Sequence, residues 1–108
     1  MLVVTRYVVS AADAAGFLPR ARTALSALSS QRGWRSGRIG RATDDRELWV
    51  LTTEWDSVGA YRRALSAYDV KVHAVPLLSL AVDETSAFEV LVADGVGADG
   101  LAAPSGLA

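Results

Sequence analysis

The chain has no cysteine, one methionine, one histidine and three prolines among its 108 residues. The missing thiols exclude disulfides and thiolate metal sites and permit a reducing compartment. Basic residues stop early: no Lys or Arg follows Lys71, whereas Asp83, Glu84, Glu89, Asp94 and Asp99 do. The formal net charge is −1. A partner bound through phosphate charge usually requires a clear basic excess, so nucleic acid is not expected. No uncharged run is long enough to cross a bilayer, and no membrane contact is expected. The opening "MLVVTRYVVSAADAAG" has no basic residue before its apolar run and is broken by Arg6, so it does not read as a signal peptide. A cytoplasmic protein is expected.

What is present is apolar: 51% of the residues are hydrophobic and 21% charged. That balance suits one compact domain over residues 1–93, followed by a flexible Gly/Ala-rich tail over 94–108. "LVVTRYVV" is β-branched and short, which predicts a buried strand with Arg6 as its misfit. From Ser10, a candidate N-cap, Phe17, Ala21, Leu25 and Leu28 recur at helical spacing, Pro19 either begins or bends the helix, and Gly33 marks its stop.

In "QRGWRSGRIGRATDDRELWVLTTEW", Arg32, Arg35, Arg38 and Arg41 would share one helix face. Gly33, Gly37 and Gly40 would each cost such a helix about 1 kcal/mol. Strand alternation places Arg35, Gly37, Ile39 and Arg41 on one face and Trp34, Ser36 and Arg38 on the other, with "ATDDRE" as the turn of a hairpin. The arginines then become surface or rim charges. In the following strand Trp49, Leu51, Thr53 and Trp55 alternate with Leu48, Val50, Thr52 and Glu54, so both faces need cover. An Asp56/Ser57 cap opens a second helix with Val58, Tyr61 and Leu65 on its stripe. A short helical extension, a break at Pro76, another turn and a closing strand over Thr85 to Ala93 complete the pattern.

The order β-α-β-β-α-β predicts an α+β ferredoxin-like fold. On "RGWRSGRIGRATDDRELWVLTTEWDSVGAYRRAL" the sequence resembles the antibiotic biosynthesis monooxygenase family, the resemblance running from Leu2 to about Val92. It implies a homodimeric α/β barrel made from two such sheets. It also implies a cofactor-independent monooxygenase, with neither cofactor nor metal, using molecular oxygen on an aromatic or polyketide-like small molecule. Similar enzymes line their pocket with residues that map to Trp55 and Tyr61, while the asparagine preceding that tryptophan maps to Leu51.

Heme-degrading relatives would need an asparagine at Arg6 or Tyr7 and a tryptophan at Ala64, with His73 near their axial histidine. The expected catalytic residues are His73, as a base for a phenolic proton, and Tyr61, as a donor to the resulting oxyanion. Trp55, Trp49 and Arg6 are the expected substrate contacts. A tryptophan at a strand end against a helical aromatic is equally a core joint, and a lone histidine is commonly structural. Arg6 should pair with Glu54 or Glu89 unless it lines a cavity. The alternative is a non-catalytic small-molecule-binding or stress-associated dimer of the same fold, which Leu51 favours.

Overall fold

The computed structural model describes residues 1–95. Strand β1 covers Leu2–Val8, β2 Trp34–Arg41, β3 Leu48–Trp55 and β4 Ala87–Phe88. Helices α1 (Ala14–Ser29), α2 (Val58–Ser66), α3 (Tyr68–His73) and α4 (Val75–Leu78) lie between them. The sheet is antiparallel in the order β2-β3-β1-β4, the ferredoxin-like arrangement expected from the element sequence. Within β1 and β3 alternation sorts the side chains. Val3, Thr5, Tyr7, Trp49, Leu51, Thr53 and Trp55 are buried, while Arg6 and Val8 point to the other face and are exposed.

Helix α1 starts later than the N-cap expectation, because Ser10 closes a turn through an Asp13 N–H···Oγ bond of 3.3 Å and the regular helix follows at Ala14. Pro19 sits inside α1, and the helix continues through it. Phe17, Ala21, Ala24, Ala27 and Leu28 form its buried stripe. Gly33 has φ +90°, and a Cβ there would collide with the Cβ of Ala60. The glycine therefore supplies both a left-handed turn and room for α2 to approach. Its carbonyl accepts the N–H of Asp56 at 2.8 Å, locking the end of β3 to the start of β2.

A register irregularity between Trp34 and Ser36 corrects the simple alternation of β2. It places Trp34 opposite Trp55 on the helix side, where Gly37 makes room for its indole. Arg35 pairs with Asp56 at 3.1 Å, and the Arg41 guanidinium stacks over Trp49 at 5.1 Å from the ring centre. Two arginines of this stretch are thus engaged by the fold itself. Ser57, not Asp56, caps α2, its Oγ accepting the Ala60 N–H at 3.0 Å.

The face of α2 turned most fully inward carries Ala60 and Ala64; Tyr61 and Leu65 are half-buried, and Val58 is exposed. Small residues win the inner positions because α2 packs close against the Gly33 turn. The segment after α2 follows expectation as two short helices, with Pro76 in the first turn of α4, where its missing donor costs nothing. The closing strand is far shorter than Thr85 to Ala93: Ala87 and Phe88 pair with Val3 and Leu2, and Leu91 is 82% exposed. Residues 96–108 of the expected tail lie outside the described residues.

Candidate functional site

Trp55 closes β3 and is fully buried. Its ring meets Trp34 edge-on at 5.4 Å and Tyr61 at 5.5 Å, and its Nε1 donates to Thr53 Oγ1 at 2.9 Å. The Ser57 cap fixes the first turn of α2 and so sets Tyr61 against this indole. Beside it, β1 contributes Tyr7. Thr5 Oγ1 lies within hydrogen-bond distance of the Leu51 carbonyl, at 3.3 Å, and of the Tyr7 hydroxyl, at 2.9 Å. Either hydroxyl of the Thr5–Tyr7 pair can donate to the other.

Burial raises the Tyr61 phenol above its ordinary value of 10.0, and the neighbouring Tyr7 phenol raises it further. Burial also lifts Tyr7, partly offset by the hydrogen bond to Thr5. Both groups are neutral donors near neutral pH. The aromatic row continues from Tyr7 to Phe17, with centres 5.3 Å apart, and from Phe17 edge-on to Trp49 at 5.3 Å. Trp49 Nε1 is buried and has no hydrogen-bond partner among the described residues, an uncompensated donor next to this row.

A cleft of about 360 Å³ opens along the same row. Tyr7, Val9 and Phe17 form its buried wall, and Asp13, Arg20 and Leu80 stand at its exposed margin. That volume lies in the range of small-molecule sites. A smaller recess of about 250 Å³ lies between Gln31, Arg32, Arg63 and Ala64. Among the described residues, no group of three His, Cys, Asp or Glu side chains is placed to hold a metal ion. No helix among them is long and apolar enough to cross a membrane.

The structure thus gathers three of the expected site residues, Tyr61 and Trp55 directly and Trp49 through Phe17 and Tyr7. Arg6 stands on the opposite sheet face, exposed, in an ion pair with Glu84 at 3.6 Å. The expected partners were Glu54 and Glu89. Register explains the change: Glu54 lies across from Leu2 while Arg6 faces Val50, and the chain near Glu84 runs beside β1 through the Val82 N–H to Arg6 carbonyl bond. His73 is exposed at the end of α3, and no hydrogen bond joins it to Tyr61 among the described residues. None of the five expected site residues, Arg6, Trp49, Trp55, Tyr61 and His73, lines either cleft; Tyr7 and Phe17 form the aromatic wall instead.

Leu51 and Ala64 are both buried, so neither position presents a polar side chain to the site. The sequence reading overlooked Thr5, Tyr7, Phe17 and Thr53. The signal was there for β1: Val3, Thr5 and Tyr7 alternate in step with Thr53, Leu51 and Trp49 across the strand pair.

Residues 1–74 match the antibiotic biosynthesis monooxygenase family. No curated protein sequence matches the chain. Among solved structures, a mutant of SnoaB, a cofactor-independent oxygenase from Streptomyces nogalater, is 25% identical with a TM-score of 0.69, over 85% of this chain and 93% of that one. A conserved protein from Methanosarcina mazei, 17% identical with a TM-score of 0.65 over 80% and 84% of the two chains, shares the fold. So does Rv0793 from Mycobacterium tuberculosis, at 13% identity and a TM-score of 0.62 over 80% and 86%. With a family match across most of its length, the chain belongs to the antibiotic biosynthesis monooxygenase family.

Proposed function

We propose that the protein is a homodimeric, cofactor-independent monooxygenase that oxidises an aromatic, polyketide-like small molecule with molecular oxygen. The observation that carries this reading is an aromatic-walled cleft lined by Tyr7 and Phe17, with the half-buried Tyr61 phenol packed on Trp55 and within electrostatic reach of Tyr7. A polycyclic phenol lying against Phe17 and Tyr7 ionises to a phenolate. Its charge is held by hydrogen bonds from hydroxyl and indole donors that do not themselves ionise near neutral pH. Tyr61, within electrostatic reach of Tyr7, is assigned that donor role, and the Trp49 N–H, without a partner among the described residues, is the second candidate.

The phenolate passes one electron to dioxygen, and the two radicals join to form a carbon–oxygen bond. The resulting peroxide takes up the proton lost on ionisation. Loss of the ring C–H proton with cleavage of the O–O bond releases water and leaves a carbonyl. One oxygen atom enters the product and the other leaves as water, so the substrate supplies every electron that dioxygen accepts.

The dimer in this proposal rests on the uncovered sheet face. Leu2, Val4, Leu48 and Val50 there are apolar and only half-buried in one chain. The test is oxygen consumption with a panel of polycyclic phenols and anthrones. Catalysed uptake with quinone formation is expected, reduced in Tyr61→Phe by roughly 2–4 kcal/mol of barrier if the hydroxyl contacts the oxyanion. Saturable binding without oxygen uptake would instead select the non-catalytic binding dimer, which the apolar, buried Leu51 side chain favours.

A further inference from the structure

The cleft combines an apolar, aromatic wall with two charges of opposite sign at its margin, and neither charge forms an ion pair among the described residues. Asp13 holds the N-cap position of α1, yet its side chain makes no capping hydrogen bond. Arg20 lies two turns further along the same helix and forms no ion pair among the described residues. Arg6 and Arg35, by contrast, are each paired with an acid, and Arg41 is stacked on Trp49. Aromatic contacts alone would hold any flat ring of suitable size. A guanidinium and a carboxylate at the margin give the site a polarity that such contacts lack.

We propose that Arg20 and Asp13 select the ligand's charge and orientation, so that the cleft takes a planar aromatic acid with its carboxylate at Arg20 and its rings against Tyr7 and Phe17. This rests on the reading of the cleft as an aromatic-substrate site and adds the ligand's chemical class to it. Asp13 opposes the reversed orientation, because like charges repel across the cleft mouth, and it accepts a hydrogen bond from a ring hydroxyl. Both groups are exposed, so salt screens their contribution and the selectivity is strongest at low ionic strength.

The experiment measures tryptophan fluorescence quenching by two probes of matching shape, an anthraquinone carboxylate and its neutral carboxamide. In wild type the carboxylate is expected to bind more tightly than the carboxamide, with the difference shrinking as salt is added. Arg20→Gln should weaken carboxylate binding by roughly three- to tenfold and leave carboxamide binding within about twofold. Arg20→Lys should keep most of the preference, and Asp13→Asn should tighten the carboxylate. Circular dichroism establishes that each variant is folded. Equal binding of the two probes, untouched by Arg20→Gln, overturns the charge selection and leaves the aromatic site standing. If neither probe binds, the aromatic cleft itself is refuted and the selection with it.

Discussion

The two faces of one sheet are built from alternate residues of the same strands and have opposite characters. On the helix side Val3, Thr5, Tyr7, Trp49, Leu51, Thr53 and Trp55 are all buried, and among the described residues each of their polar side-chain groups but Trp49 Nε1 is hydrogen-bonded. On the other side Leu2, Val4, Leu48 and Val50 are half-buried, and the margin is charged, with Arg6 paired to Glu84 in water. The helix face holds both the core and the candidate chemistry, so a substitution there changes stability and site together. The open face answers only to what covers it.

Trp55→Ala should produce the largest effect. Removing a fully buried indole that touches Trp34 and Tyr61 should cost about 3–5 kcal/mol in urea denaturation, enough to unfold a marginal domain. Next comes Val50→Lys at the centre of the open face. It should leave circular dichroism unchanged but shift light scattering from dimer to monomer mass, whereas a variant that stays dimeric would place the interface elsewhere.

Tyr61→Phe should act on the pH dependence. Because the folded protein raises this phenol above 10.0, the stabilisation is fully present below that pH. It is lost as pH climbs towards the folded-state value, since the unfolded chain ionises first. Wild type should therefore lose stability at alkaline pH more steeply than Tyr61→Phe, as read from thermal midpoints. The smallest effect should be Arg6→Ala, within about 0.5 kcal/mol, because both partners of its ion pair are largely exposed. A larger loss would mean that the open face is more tightly covered than one chain reveals.

The element order, the sheet and the Trp49-to-Trp55 face were legible because each rests on a period that the chain repeats several times. Trp34 was misplaced because a bulge inserts one residue at Arg35 and reverses every side chain before it, an event no alternation announces. Arg6 was given the wrong acids because pairing across an edge depends on register, and the two-residue β4 offers almost no pattern from which to read it. In the site, Trp55 and Tyr61 were named because the resemblance to the family maps its pocket aromatics onto them. Tyr7 and Thr5 were not, because their link depends on a hydroxyl bond between residues two apart on one strand face, a common spacing that carries no signal alone.

Gly37 and Trp34 occupy one volume between them: a Cβ on the glycine would fall inside the indole and against the Leu25 side chain. The two positions are therefore not independent letters of the sequence. A larger residue at 37 could be inherited only after, or together with, a smaller one at 34. That change would in turn empty the space against Trp55 and reopen the packing beside Tyr61. Descendants of this chain should vary at 34 and 37 as a linked pair, and the path by which this aromatic packing can diverge runs through a residue that has no side chain.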